Sequence, residues 1–241
     1  MLPYINIGSF KLSTYYTAMF LGYVVMVVLM MLPARRRIYS ISKIKAFLFA
    51  TAVLVVGILG CKLLYTIENF DIVLRDGFTF GGFSFYGAAF LVPLIMPLFG
   101  LLLKMNVFDT LDNSAVNVLG MLGTIRIGCM LNGCCGGTSF HINHFTLTWP
   151  TQLLEAVFDF GILAWLLVLE TRSDRYYRGG LYPRFMISYG IIRFIIEFMR
   201  DTPKDWLWLS HGQWFAIVGI AVGIGLLIIV KRFGHVYKAE K

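Results

Sequence analysis

Long apolar stretches constrain this chain more than any other feature of its sequence. A helix that crosses the roughly 30 Å hydrocarbon core of a bilayer needs about 20 predominantly apolar residues. Only 14% of the 241 residues are charged, whereas about a quarter are charged in soluble domains. The sequence therefore predicts an all-α polytopic membrane helix bundle in one domain, residues 1–241. Its seven predicted transmembrane helices, of which the fourth is the weakest, cover residues 12–33, 46–67, 81–105, 115–131, 151–169, 182–199 and 213–230.

Lysine and arginine are distributed unevenly between the two sides of this predicted bundle. Loops 34–45 and 170–184, the tail from Lys231 and the single residue Lys104 carry fourteen of them, whereas the opposite side carries four. Because cytoplasmic loops hold the excess of basic residues, we expect the N-terminus outside and the C-terminus in the cytoplasm. The formal charge of +8 then reflects topology and attraction to an anionic lipid bilayer. No basic patch or motif predicts a nucleic-acid partner.

Ionisable residues interrupt the later predicted helices. Such a side chain at membrane depth costs about 3 kcal/mol or more, so it usually has a partner or a task. Tyr189, Arg193, Glu197 and Arg200 follow one another at spacings of four, four and three, which places them on one helical face. Arg126 has no acidic residue within helical reach, so its partner must come from another helix or from a ligand. Since guanidinium groups bind phosphate in a bidentate manner, Arg126 and Arg193 indicate a site for a phospholipid headgroup.

The acidic residues leave two interpretations open. Gln152, Glu155 and Asp159 recur at spacings of three and four, so they share one face of the fifth helix and could neutralise the two arginines. Alternatively, Arg193 and Glu197 form an intrahelical salt bridge that satisfies only itself.

Three cysteines, Cys129, Cys134 and Cys135, raise the question of a metal or redox site. Their spacing matches no familiar ligand pattern, and two adjacent cysteines do not easily bind one ion. The sequence therefore predicts no metal ion and no cofactor.

Four segments carry a resemblance to a known family. The run RIGCMLNGCCGG at 126–137 resembles the signature segment of bacterial prolipoprotein diacylglyceryl transferases. Three further segments occur in the same order along the chain as in that family: SFYG at 84–87, PTQLLE at 150–155 and YGIIRFIIEFMR at 189–200. The resemblance extends over nearly the whole chain.

This resemblance implies an enzyme of the bacterial cytoplasmic membrane that needs no cofactor. It would transfer the diacylglyceryl group of phosphatidylglycerol to the lipobox cysteine in the signal peptide of a prolipoprotein, forming a thioether and releasing glycerol phosphate. By this matching the catalytic residues are Arg126, Arg193, Tyr86 and Glu197. The residues that bind the lipid, orient the arginines or shape the loop over the headgroup are Tyr15, Asn132, Gly133, Gly137, Tyr189, Arg200, Gln152 and Glu155.

Several substitutions depart from the family pattern and keep other functions open. The family usually has histidine where this chain has Tyr86, and that histidine is a favoured candidate for handling the thiol proton. A phenol titrates near 10, so either an arginine lowers this value or the base lies elsewhere. Trp149 and Leu154 replace further polar residues. The alternatives are a family member without this activity, which binds lipid or a partner or uses another acceptor, and a transporter of an anionic substrate, although no inverted repeat is visible.

Overall fold

The computed structural model describes residues 3–7, 10–77, 82–142, 145–172, 178–204 and 206–233. These ranges are mostly helical, as the sequence predicts. Their helices are α1 (Thr14–Met31), α2 (Pro33–Ile38), α3 (Lys43–Glu68), α4 (Phe70–Asp76), α5 (Phe85–Leu102), α6 (Val107–Asn132), α7 (Thr151–Thr171), α8 (Leu181–Ile196) and α9 (His211–Phe233).

Six of these helices, α1, α3, α5, α6, α7 and α9, are long and apolar enough to cross a membrane, as expected for a multi-pass membrane protein. The predicted count of seven is not confirmed. The predicted sixth span corresponds to α8, which has 16 residues and is therefore about 24 Å long, shorter than a hydrocarbon core. The chain continues from α8 into a 3₁₀ turn, Glu197–Met199, where the sequence predicts further transmembrane helix.

Helix α6 is the central element of the bundle, although the sequence makes it the weakest span. It packs against α1, α5, α7 and α8, and two thirds of its most apolar window is buried. The polar residues that lower its hydropathy are bonded inside the bundle. Asp112 accepts hydrogen bonds of 2.7 Å from the backbone N–H groups of Gly179 and Leu181. Asn113 accepts one of 2.9 Å from Arg35, whose Nε lies 2.8 Å from a carboxylate oxygen of Glu170.

Two β-hairpins correct the all-α prediction. Strand β1 (Tyr4–Ile7) pairs with β2 (Phe10–Ser13), and β3 (Ser139–Ile142) pairs with β4 (Phe145–Thr148), both in antiparallel register. The segment Phe145–Thr148 alternates apolar and polar residues with the period of two that is typical of strands. The hairpins precede α1 and α7. The second hairpin lies between two predicted spans, and the first overlaps the predicted span 12–33 only at Leu12 and Ser13.

Close packing of α3 against α5 aligns one end of the bundle. A Cβ atom on Gly87 would lie 1.9 Å from the backbone carbonyl oxygen of Gly60, so the two helix backbones touch where α3 ends and α5 begins. Similarly, a Cβ atom on Gly128, near the end of α6, would lie 2.2 Å from Cβ of Ala18 near the start of α1. Small residues permit such approaches between membrane helices. The ends of α3, α6 and α8 therefore meet the starts of α1, α5, α7 and α9.

We expect Gly87→Ala to destabilise the protein by about 1–3 kcal/mol, because the added methyl group collides with backbone that cannot move aside. The measurement is thermal unfolding of the purified protein in detergent, followed by tryptophan fluorescence. Gly161→Ala in α7 is the matched control, since nothing lies within 4 Å of its added Cβ. Equal stability of the two variants would contradict the α3–α5 contact.

Candidate active site

Glu155 lies at the centre of a cluster of charged residues at this end of the bundle. It occupies the second turn of α7 and is 2% exposed. One carboxylate oxygen pairs with Arg126 of α6, and the other pairs with Arg193 of α8 and with Arg200, whose Nη1 lies 3.1 Å away. Three arginines from two segments that are distant in sequence therefore converge on a single carboxylate. Arg126, which has no acidic residue within helical reach on α6, finds its partner on the neighbouring helix α7.

Glu197 provides a second buried carboxylate that holds the same arginines. Its Oε2 lies 2.6 Å from Nη2 of Arg193 and 3.7 Å from Nε of Arg200. Its Oε1 accepts hydrogen bonds from the hydroxyl groups of Thr202, at 2.9 Å, and Ser210, at 3.0 Å. Arg193 and Glu197 thus form the intrahelical salt bridge considered above, but Arg193 also binds Glu155. The salt bridge is part of a network and does not satisfy only itself.

Tyr189 adds an unsatisfied donor to this cluster. It is buried on α8, one turn before Arg193, and its ring contacts that of Phe85 with centroids 4.9 Å apart. Among the residues that the structure describes, its hydroxyl has no hydrogen-bond partner. A buried hydroxyl without a partner costs about 1–3 kcal/mol, so its position beside the arginines indicates a site that a polar ligand completes.

A cavity of about 440 Å³ opens next to Arg126. Its polar wall contains Arg126 and Asn132, and Tyr15 of α1 lies on its apolar side. A second, apolar cavity of about 100 Å³ shares Tyr15 and continues between α1, α3 and α6. The residues common to both cavities are Tyr15, Cys61, Phe83, Phe85, Leu122 and Ile125. A charged compartment that continues into an apolar one is complementary to an amphiphile.

The loop after α6 is held in place by residues of the site. Gly133 ends α6 in the left-handed region, with φ +78°, which glycine adopts without strain. Gln152 donates a 2.7 Å hydrogen bond to the carbonyl of Cys134. Gly137 pairs with the backbone of Arg200, and a Cβ atom there would lie 2.6 Å from the carbonyl oxygen of Met199. Gly133, Gly137 and Gln152 therefore shape the loop beside the cavity.

Tyr86, like Arg193 and Tyr189, is not among the residues that line the cavity. Its hydroxyl donates a 3.1 Å hydrogen bond to the carbonyl of Gly212, at the start of α9. Its ring stacks on that of Phe215, with centroids 5.2 Å apart. Because the phenol is occupied in joining α5 to α9, this geometry gives no support to Tyr86 as an acceptor for a proton released in the cavity.

Sequence reasoning missed the convergence of three thiols at the cavity wall. The Sγ atoms of Cys129, Cys134 and Cys135 lie within 4.8 Å of one another. A hydrogen bond with Cys129, and then the charges of Arg126 and Arg200, lower the pKa of the Cys135 thiol to about 5. No spacing rule reveals this arrangement, because it depends on left-handed backbone at Gly133 and at Cys135, where φ is +63°. Thr202 and Ser210 were missed as well, and nothing in the sequence links them to Glu197.

Comparison with known proteins identifies relatives over nearly the full length. The family model described as prolipoprotein diacylglyceryl transferase matches residues 3–229. A phosphatidylglycerol–prolipoprotein diacylglyceryl transferase 2 of Clostridium perfringens is 31% identical, over 98% of each chain. The phosphatidylglycerol–prolipoprotein diacylglyceryl transferase of Clostridium tetani is 29% identical, over 89% of this chain and 91% of its own. That of Hydrogenovibrio crunogenus is 28% identical over 82% of each chain.

We expect Glu155→Gln to lower the free energy of unfolding by about 3–5 kcal/mol, because it leaves buried arginines without their shared counter-charge. Thermal unfolding in detergent measures the change. Asp201→Asn removes the same charge from an exposed residue next to Arg200 and should leave stability within about 0.5 kcal/mol of the parent. If Glu155→Gln were as stable as Asp201→Asn, Glu155 would not be the centre of the cluster.

Proposed function

The chain belongs to the prolipoprotein diacylglyceryl transferase family, and we propose that it transfers the sn-1,2-diacylglyceryl group of phosphatidylglycerol to a prolipoprotein. The names of its relatives give this donor and this acceptor. We further propose that the acceptor atom is the thiol of the lipobox cysteine in the signal peptide. The observation that carries the proposal is the position of Arg126, which is paired with buried Glu155 and also forms the wall of a cavity that continues into an apolar pocket.

The reaction needs stabilisation of one developing charge. A new bond forms between the acceptor sulfur and a glyceryl carbon, the bond from that carbon to the phosphate oxygen breaks, and the thiol proton is released. Negative charge accumulates on the departing glycerol phosphate. Preorganised cationic donors in a site of low dielectric constant stabilise such a charge strongly. Arg126 is suited to this role because its guanidinium reaches the cavity, while the apolar pocket beyond Tyr15 suits the start of an acyl chain.

The remaining charged residues would position the arginines. Glu155 fixes Arg126 relative to Arg193 and Arg200, and Glu197 fixes Arg193 from the other side. Three guanidinium groups share two carboxylates within the cluster, so they carry more N–H donors than the two carboxylates occupy, and an incoming phosphate can accept hydrogen bonds from them. The hydroxyl of Tyr189 and the amide of Asn132 would supply further hydrogen bonds to the headgroup, and Gly133, Gly137 and Gln152 would hold the loop above it.

We propose that this site faces the outer leaflet of the membrane. With the N-terminus outside and the C-terminus in the cytoplasm, the starts of α1, α7 and α9 face outward, so the site lies at the outer end of the bundle. We propose the bacterial cytoplasmic membrane as the location, because both the lipid donor and the signal peptide reside there in the proposed reaction. Residues 1–241 form one domain in this proposal, since every helix end that contributes to the site belongs to the same bundle.

We expect Arg126→Ala and Arg193→Ala to reduce transfer about 100-fold or more, by analogy with the loss of a single donor to a transition-state anion. Purified protein in detergent is assayed for transfer from radiolabelled phosphatidylglycerol to a lipobox peptide. The activity of Arg126→Lys should lie between that of Arg126→Ala and that of the parent, because lysine retains the charge but cannot make bidentate hydrogen bonds. Arg75→Ala, which removes an exposed arginine of α4, is the control and should retain activity.

Two outcomes would overturn the proposal. Full activity of either arginine variant would show that this arginine does not hold the phosphate of the donor lipid. No labelling by the folded parent protein, with an active relative assayed alongside, would favour a family member that binds lipid or a partner without this activity.

We expect Tyr86→Phe to retain transfer within a few-fold of the parent and to lose about 1 kcal/mol of stability, because the change removes one hydrogen bond to Gly212. The same transfer assay and a thermal unfolding curve measure the two effects. A loss of activity comparable to that of Arg126→Ala, without loss of fold, would instead assign the thiol proton to the phenol.

A further inference from the structure

The three cysteines at the cavity wall form a cluster that the proposed transfer leaves unexplained. Cys129 is buried on the last turn of α6, Cys134 is partly buried and Cys135 is exposed. Their Sγ atoms lie within 4.8 Å of one another. The remaining cysteine, Cys61, lies on α3 and is not part of this group. Three thiols that are adjacent in space, and not merely in sequence, have the composition of a soft metal site.

The backbone is folded so as to bring the two adjacent cysteines to the same side. After the left-handed turn at Gly133, the N–H of Cys134 bonds to the carbonyl of Cys129 at 3.1 Å. Cys135 then adopts φ +63°, a conformation that costs a residue with a side chain about 1 kcal/mol or more. The hydrogen bonds from Gln152 and Thr151 to the carbonyls of Cys134 and Cys135 hold it there. This turn removes the objection that neighbouring cysteines cannot reach one ion.

We propose that Cys129, Cys134 and Cys135 bind one Zn²⁺ ion through their thiolates. Tetrahedral coordination with Zn–S bonds of about 2.3 Å requires sulfur atoms about 3.8 Å apart. The sulfur atoms of the cluster already lie within 4.8 Å, so small side-chain rotations suffice. Three thiolates around a divalent cation carry one net negative charge, and the guanidinium groups of Arg126 and Arg200, which act electrostatically on Cys135, compensate for it.

The site has one open position that faces the cavity. Three protein ligands leave a fourth tetrahedral position for water or substrate, as in catalytic zinc sites. All three cysteines line the cavity beside Arg126, so the fourth ligand comes from there. If the proposed function holds, the ligand is the acceptor thiol, which loses its proton to solvent on coordination and becomes a thiolate next to the phosphate clamp.

The metal content of the purified, thiol-reduced protein tests the site without any assay of transfer. Elemental mass spectrometry should find about one Zn²⁺ per chain in the parent protein. Each of the variants Cys129→Ser, Cys134→Ser and Cys135→Ser should lose this ion. Cys61→Ser is the matched control and should retain the ion. Gel filtration and thermal unfolding show that each variant is folded. A folded parent protein that binds no Zn²⁺ when supplied with it, or a Cys135→Ser variant that retains the full amount, overturns the proposal.

The open position is tested with Co²⁺ in place of Zn²⁺, since thiolate bonds to Co²⁺ give charge-transfer absorption. Addition of a lipobox peptide should strengthen this absorption by about one third, as a fourth thiolate joins three. The same peptide with serine in place of cysteine should not. Equal spectra with both peptides would show that the fourth ligand is not the acceptor thiol. Because this readout needs no lipid donor, it separates failure of the metal site from failure of transfer.

Discussion

The shared ion pairing of Glu155 with three arginines is the interaction on which the rest of the site depends. An isolated charge in an apolar bundle is costly, and opposite charges offset that cost only when their geometry and further hydrogen bonds are good. Here one carboxylate collects Arg126, Arg193 and Arg200, and Glu197 binds two of them again from the other side. The arrangement fixes α6, α7 and α8 relative to one another at the end where the cavity opens.

The opposite end of the same helices carries a second buried polar cluster. Arg35 pairs with Glu170 of α7 and bonds to Asn113 of α6, and the hydroxyl of Tyr39 lies 2.5 Å from the same glutamate. With a polar anchor at each end, α6 cannot slide or rotate relative to α7 without leaving charges unpaired. The register of Arg126 in the cavity therefore follows from contacts at both ends of the bundle, which explains why so polar a helix lies at its centre.

Much of the fold could be predicted from the sequence, because membrane helices are recognisable by their length and apolarity. Tyr189, Arg193 and Glu197 could be placed on one helical face by their spacing, whereas Arg200, which was predicted on the same face, follows the 3₁₀ turn after α8 and has extended backbone. Arg126 could be expected to find its partner on another helix or in a ligand, because no acidic residue lies within helical reach of it. The length of α8 could not be predicted, because an apolar window does not reveal where regular helix gives way to the 3₁₀ turn at Glu197. The hairpins were missed because only a few residues carry their period of two.

The cysteines show most clearly what sequence reasoning lacks, and they bear on the chemistry that the proposed reaction requires. Transfer to a thiol needs both a sink for phosphate charge and a means of removing the thiol proton. The first is visible in the sequence as arginines within apolar helices. The means of removing the proton is not visible in the sequence. Tyr86, which stands where the resemblance implies a histidine, donates its hydroxyl hydrogen to the carbonyl of Gly212. The proposed metal site, built on left-handed backbone at Gly133 and Cys135, would meet the same need in another way, since a bound cation stabilises a deprotonated acceptor. In this proposal the arginines stabilise the departing phosphate, and the cysteines at the cavity wall take over the removal of the thiol proton that the resemblance would otherwise assign to a histidine.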